Sequence, residues 1–222
     1  YIHLMDSNKG GEKILEKLSE FSTRMVFTAH PTQFYPPAVL DIIAKLNSLI
    51  TVNDINEINL TLQQLGLTSL INSKKPTPFD EAKNIIYFLR NVYYDAVIEL
   101  YSDIKMNIQN SNFDNPNIIQ FGFWPGGDRD GNPFVTSETT NDVADELRMN
   151  LMKCYYKDIK HLEKLLTFRE IQGILADLRD LIYVTMFDRS KKIHFLEIIN
   201  PLYLIKDFLI KNYNSLYIEE LE

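Results

Sequence analysis

Two short apolar runs, each opening straight into a polar turn, constrain this chain more than any other feature. Met25-Val26-Phe27-Thr28-Ala29 reads as a short buried strand and leads directly into His30-Pro31-Thr32-Gln33. Ile118-Ile119-Gln120-Phe121 does the same for the run from Phe123 to Pro133, Phe-Trp-Pro-Gly-Gly-Asp-Arg-Asp-Gly-Asn-Pro. Strands that end in polar motifs and are followed by helices belong to α/β sheets and barrels, whose ligand-handling groups collect at strand exits. Pro31 biases His30 toward extended backbone, which keeps the imidazole at the exit rather than inside a helix.

The second motif packs Asp128, Asp130 and Arg129 between Gly126, Gly127 and Gly131, and closes with Asn132-Pro133. Glycines there let backbone approach a ligand or turn through conformations closed to other residues. Spacing excludes two familiar sites. With Gly131 as the sixth-position glycine of a calcium loop, position one falls on Gly126 instead of an acid. No Lys-Ser/Thr pair follows the glycines, so a nucleotide P-loop fails as well. Two readings stay open: a plain turn with a surface Arg–Asp pair, or a loop that holds an anion through Arg129 and backbone N–H groups. His30 likewise reads either as a satisfied structural histidine or as a proton-transfer group. His3, His161 and His194 lack a comparable setting, and His161, within a charged helical run, is expected in solvent.

Elsewhere the pattern is helical. Apolar residues at Ile14, Leu15 and Leu18 mark a helix over residues 11–21. Pro36-Pro37 opens a helix carrying Val39, Ile42, Ile43, Leu46 and Ile50 at helical spacing. Asp54 and Glu57 form a capping box for a helix burying Ile55, Ile58, Leu62 and Leu65, with Gly66 as its stop. After an irregular connector at Lys74–Pro78, a long helix runs from Pro78 or Asp80 through Ala82, Ile86, Tyr93 and Leu100 toward Met106. Asn107–Asn117 reads as a surface loop. A helix from near Ser137 reaches about Leu166 with Val143, Leu147, Leu151 and Cys154 on one side. Thr167 and Glu170 then cap a helix striped by Ile171, Ile174, Leu175, Leu178 and Ile182. The tail from Phe195 to Leu221 forms one or two helices, with Pro201 a break or a first-turn residue.

Composition narrows the function classes. Hydrophobic residues make up 45% of the 222-residue chain, enough for a core. No apolar run approaches the ~20 residues that cross a bilayer, and no signal-peptide pattern opens the chain, so the expected setting is cytoplasmic with no membrane partner. A formal charge of −7 argues against a nucleic-acid surface. Arg189-Ser190-Lys191-Lys192 reads as a solvated turn. The lone Cys154 has neither a disulfide mate nor metal-ligand company and reads as a helix residue.

Three segments together closely resemble phosphoenolpyruvate carboxylases. Thr28-Ala29-His30-Pro31-Thr32 matches the family segment that contains the catalytic histidine. Lys75-Pro76-Thr77-Pro78-Phe79-Asp80-Glu81-Ala82 is similar to a second segment. Gly126 to Pro133 matches the Gly-Gly-Asp-Arg-Asp-Gly-Asn-Pro signature, with Val135-Thr136 following as the family would have it. The resemblance implies a mostly α protein with short parallel strands, a partial β/α barrel of the phosphoenolpyruvate-binding type with many extra helices. Residues 1–222 would form a single amino-terminal fragment of a larger barrel enzyme, contributing barrel strands near 24–29 and 118–124. It also implies carboxylation of phosphoenolpyruvate by bicarbonate to oxaloacetate and phosphate, with Mg²⁺ or Mn²⁺ whose ligands lie outside this fragment, in a homotetrameric parent.

In the roles that the resemblance implies, His30 is catalytic, assisting proton removal from carboxyphosphate and stabilising it. Arg129, Asp128, Asp130, Gly126, Gly127 and Asn132 bind substrate or brace the loop; for Arg129, bracing through Asp128 and Asp130 is slightly preferred because adjacent carboxylates compete for the guanidinium. The fragment alone is expected to be inactive. Gln33 stands where many members have Glu, and the arginines that follow there, like those before Lys75, are missing, which alters anion handling near His30. Two other readings remain: a non-catalytic helical scaffold or regulatory fragment related to the enzyme, and a stand-alone anion-binding module using His30 and Arg129. If the barrel reading holds, His30 and the Asp128–Asn132 loop share one end of two neighbouring strands.

Overall fold

The computed structural model describes residues 16–28, 35–71, 75–108, 115, 117–128, 130 and 132–212. Residues 16–20 are helical and lead into strand β1, Thr23–Phe27. Helices α1 (Pro37–Val52) and α2 (Ile55–Leu67) follow, then α3 (Pro78–Phe88), a π-helical turn over Leu89–Tyr93, and α4 (Tyr94–Ile108). Strand β2 (Ile119–Phe123) precedes three helices, α5 (Ser137–Leu165), α6 (Arg169–Phe187) and α7 (Phe195–Asn212). The fold is mostly helical with one small sheet, as expected for part of a β/α barrel with many extra helices.

β1 and β2 pair directly. The amide of Thr23 donates to the Ile118 carbonyl at 3.1 Å, and the amide of Trp124 donates to the Phe27 carbonyl at 2.9 Å. Numbering rises together along both strands, so the pair is parallel. Side chains repeat the pairing, with the Arg24 guanidinium donating to Gln120 Oε1 at 2.6 Å. The first strand was expected at Met25–Ala29 and buried. It sits two residues earlier, and Met25 and Val26 are 40% and 51% exposed. Apolar, β-branched residues favour a strand whether or not a layer covers it, so composition could place the strand but not its burial.

Contacts among the described residues divide into two compact units. One holds the residues up to Met25, Ile86–Phe121 and those from Ala144 onward; the other holds Val26–Ile85 and Gly122–Val143. The first unit has the larger core. Met152, Ile159 and Leu162 of α5, Ile171, Leu175, Leu178 and Ile182 of α6, and Ile198, Ile205 and Leu209 of α7 form one buried cluster. The α6 stripe falls where helical spacing put it. Its cap does not: the helix begins one residue after Phe168, whose carbonyl accepts from the Ile171 and Gln172 amides, and Thr167 supplies no cap. Pro201 lies inside α7 and does not break it. An interior proline costs ~3 kcal/mol, and burial of Ile198, Ile205 and Leu209 in the shared core offsets a loss of that size. The Asp188 carboxylate closes the turn after α6 by accepting from the Ser190 amide and hydroxyl, and the basic residues behind it stay exposed.

In the second unit, α1 packs against α2. Pro37 occupies the first turn of α1, and Val39, Ile42 and Leu46 are buried, whereas Ile43 and Ile50 are exposed. Asp54 caps α2 by accepting from the Glu57 amide at 3.1 Å. The box is not reciprocal, because the Glu57 carboxylate pairs with Lys45 at 3.0 Å. Gly66 does not stop α2, which runs on to Leu67, and the helix buries Thr61 instead of Ile55 or Leu62. The Thr61 hydroxyl has no hydrogen-bond partner.

The long helix starts with a box that apolar spacing did not reveal. The Asp80 amide donates to Thr77 Oγ1 at 3.2 Å, while Asp80 Oδ2 accepts from the Thr77 amide at 3.1 Å and its hydroxyl at 2.7 Å. The Thr77 hydroxyl holds the Asp80 carboxyl below its usual range, with Lys83 adding to the effect. A depressed folded value means the linked stability is present above the unfolded value, ~3.9, and is lost as pH falls through the folded one. Thr77→Ala should therefore cost ~1 kcal/mol at neutral pH, with the gap to the parent narrowing below about pH 4. Urea melts at several pH values check this; a gap unchanged down to pH 3 would show that Asp80 is not coupled to the cap.

Candidate active site

Parallel pairing fixes the direction in which both motif segments leave the sheet. Thr28 follows β1 and Trp124 follows β2 at the same end, with the Trp124 amide still bonded to the Phe27 carbonyl. His30 lies two residues past Thr28 and outside the described residues, as do Arg129 and Gly131. The structure therefore brings together the exits of the two strands, while the positions of the imidazole and the guanidinium fall outside it.

The described part of the second motif is a tightly tied turn. Gly127 and Asp128 amides donate to the Trp124 carbonyl at 3.0 and 3.3 Å. Gly126 adopts φ 74°, the left-handed region that favours glycine. A Cβ at this position would lie 2.5 Å from Val143 Cγ2 on α5, so the position is closed sterically too. The Thr140 hydroxyl, also on α5, donates to the Gly126 carbonyl at 2.8 Å. Pro125 and Gly126 are buried beneath the turn. Gly127 is exposed, and a Cβ there would make only ordinary contacts with the Trp124 and Phe123 carbonyls, so neither space nor conformation requires glycine at this position.

Asp128 is a brace. Its Oδ2 accepts from the Trp124 indole Nε1 at 2.8 Å, and its Oδ1 accepts from the Asp130 amide at 3.0 Å. Both oxygens are thus occupied by groups that shape the loop. Asn132 continues the pattern, its Oδ1 accepting from the Phe134 amide at 3.1 Å and its carbonyl from the Val135 amide at 3.2 Å. Thr136 then caps α5, accepting from the Thr139 amide at 3.2 Å. Asp130 is exposed beyond these ties.

Sequence reasoning missed three residues that position this loop: Trp124, Thr140 and Val143. Thr140 and Val143 stand on the first two turns of α5, three residues apart, which places them on the same face toward the glycine turn. An acceptor-rich turn ahead of a helix that begins Ser-Glu-Thr-Thr was the available signal. Of the other singled-out residues, His161 is exposed on α5 and His194 is exposed before α7, while His3 lies outside the described residues. Cys154 is buried, and burial pushes its thiol upward, as suits an inert helix residue.

Among the described residues, no group of three or more histidine, cysteine or carboxylate side chains converges to hold a metal ion. No described helix is long and apolar enough to cross a membrane.

Comparison with known proteins decides the ancestry of this arrangement. A family profile described as phosphoenolpyruvate carboxylase matches residues 2–197. The chain belongs to the phosphoenolpyruvate carboxylase family. It is 31% identical over 172 residues to a phosphoenolpyruvate carboxylase of Shewanella halifaxensis, covering 70% of this chain and 20% of that protein. It is 33% identical over 174 residues to phosphoenolpyruvate carboxylase 3 of Arabidopsis thaliana, covering 71% of this chain and 18% of that protein. With the Shewanella sediminis relative it shares 31% over 190 residues, or 78% of this chain and 22% of that one. The chain therefore spans about a fifth of the length of the curated relatives it matches.

Proposed function

We propose that this chain supplies part of a site that carboxylates phosphoenolpyruvate with bicarbonate, giving oxaloacetate and phosphate. The observation that supports it best is the parallel pairing of β1 and β2, which brings the strand ends that precede His30 and the glycine loop to one end of the sheet. Family membership supplies the substrates. The phosphoryl group passes to bicarbonate, leaving the enolate of pyruvate and carboxyphosphate. His30 accepts the carboxyl proton of carboxyphosphate as its C–O bond to phosphate breaks, releasing CO₂ for attack by the enolate. The imidazolium so formed stays beside the phosphate, where opposite charge is useful.

The braced loop has a supporting part in this reading. Asp128, fixed by Trp124 and the Asp130 amide, holds the turn that carries Arg129 toward an anion. The described residues do not fit a Mg²⁺ or Mn²⁺ site, since no ligand group converges among them and Asp128 already accepts on both oxygens. The metal's ligands are proposed to come from other parts of the family's length, along with the remaining barrel strands. A cytoplasmic homotetramer is proposed for the same assembly.

The reading is tested with a polypeptide carrying this chain and the rest of the family's length. Bicarbonate-dependent oxaloacetate formation in Mg²⁺, followed by coupled reduction, is expected there and is expected to be absent for the 222-residue chain alone. Failure of the long polypeptide to form oxaloacetate would overturn the function. Turnover by the short chain would overturn the division of the site.

A further inference from the structure

A second polar cleft lies within the first unit, built by residues that the motifs do not include. It has a volume of about 510 Å³ and is lined by Arg90, Asn91, Tyr94 and Asp95 from the long helix and Lys153, Cys154 and Lys157 from α5. Arg90 and Asn91 of this lining stand on the π-helical turn, Leu89–Tyr93. Single π turns inside α-helices occur mostly at functional sites, because widening the helix by one residue costs hydrogen-bond geometry.

The charges in the cleft do not balance. Lys157 pairs with Asp95 at 3.3 Å, both side chains largely exposed. That leaves Arg90 and Lys153 without a carboxylate partner. Arg90 spends Nη1 on Asn150 Oδ1 at 3.3 Å and Nε on Asn91 Oδ1 at 3.4 Å, neutral acceptors that orient the fork without neutralising it. Asn91 is in turn anchored by donating to the Tyr87 carbonyl at 2.7 Å. Among the described residues Lys153 makes no hydrogen bond or ion pair, although it is only partly exposed. An oriented guanidinium and an unengaged ammonium facing one cleft favour a doubly charged oxyanion.

We infer that the cleft bounded by Arg90, Asn91, Lys153 and Lys157 binds the dianionic phosphate of a small phosphate monoester. Volume selects the ester over the bare ion, since about 510 Å³ falls in the range of small-molecule pockets and far exceeds one phosphate. The lining mixes charged and amide groups with the Tyr94 ring and Cys154, so the cations fix the phosphate while the organic part meets both polar and apolar surface. Arg90 grips two phosphate oxygens, Lys153 neutralises the second charge, and the Lys157–Asp95 pair closes the rim. The assignment is independent of the proposed carboxylation, because the cleft belongs to the first unit and the glycine turn to the second.

Titration calorimetry on the full chain tests it, with glycerol 3-phosphate and inorganic phosphate as the two probes. Glycerol 3-phosphate should bind saturably with Kd at or below about 1 mM at low salt, and weaken as salt rises. Arg90→Gln should weaken it at least ~10-fold, and Lys153→Gln about 5-fold. Circular dichroism establishes that Arg90→Gln is folded; Lys153→Gln carries the test if it is not, since Lys153 has no hydrogen bond or ion pair among the described residues to lose. Arg129→Gln, in the other loop, should leave this binding unchanged. The inference is overturned if neither probe binds at ~10 mM, if inorganic phosphate alone binds, or if Arg129→Gln abolishes binding that Lys153→Gln leaves intact.

Discussion

His30→Asn, made in a polypeptide that carries the whole catalytic site, should lower turnover by ~10²–10⁴-fold and change the Michaelis constant for phosphoenolpyruvate only slightly. The size follows from the role. A positioned base acts on a proton that appears only after phosphoryl transfer, so its loss falls on a step beyond substrate binding. Asparagine keeps a polar side chain of similar reach while removing the group that takes up a proton near neutral pH. Steady-state kinetics across pH 6–9 would separate this role from a structural one. A catalytic histidine leaves a slow variant whose residual rate has lost the acid limb of the parent profile. Near-normal turnover would make His30 structural and shift attention to Gln33, where the family pattern has a carboxylate. A raised Michaelis constant with turnover intact would mean that the imidazole serves ground-state binding.

The strand exits were legible because they depend on local rules. An apolar run and a glycine-rich turn after Phe123 act within a few residues, and the parallel pair appears close to where those rules put it, with β1 two residues early. The stripe of α6 was legible for the same reason: Ile171, Leu175, Leu178 and Ile182 recur at one helical face and are all buried. What escaped depends on partners distant in sequence. The burial of β1 rests on whatever lies over Met25 and Val26, which their own identities do not encode. Glu57 leaves its capping box because Lys45 of the neighbouring helix competes for it. The π turn at Leu89–Tyr93 changes which carbonyl each amide finds, a backbone choice that leaves the apolar spacing nearly unaltered. In the site itself, the motif showed which residues are present but not that Asp128 is committed to Trp124 and the Asp130 amide.

The glycine turn offers the largest expected effect on stability. Gly126→Ala adds a Cβ at φ 74°, where a side chain meets its own carbonyl, and places that atom 2.5 Å from Val143 Cγ2. Left-handed backbone costs roughly 1–2 kcal/mol for a residue with a Cβ. The overlap adds about 1–3 kcal/mol as α5 or the turn shifts to relieve it. A loss of about 3 kcal/mol is therefore expected in denaturant melts, whereas Gly66→Ala, inside α2 with nothing within 4 Å of the added Cβ, should gain about 0.5–1 kcal/mol. The two causes separate in a double-mutant cycle with Val143→Ala, which removes the clashing methyls but leaves the dihedral strained. The double variant should be more stable than the sum of the single losses by about the overlap term. Additive losses would mean that the strain is all in the backbone. Movement of the turn should also loosen the Thr140 hydroxyl from the Gly126 carbonyl and the Trp124–Asp128 bond beyond it. Trp124 is the chain's one tryptophan, so its fluorescence reports on the same loop. A spectral shift in Gly126→Ala that Gly66→Ala does not share would connect the packing of α5 to the geometry of the motif.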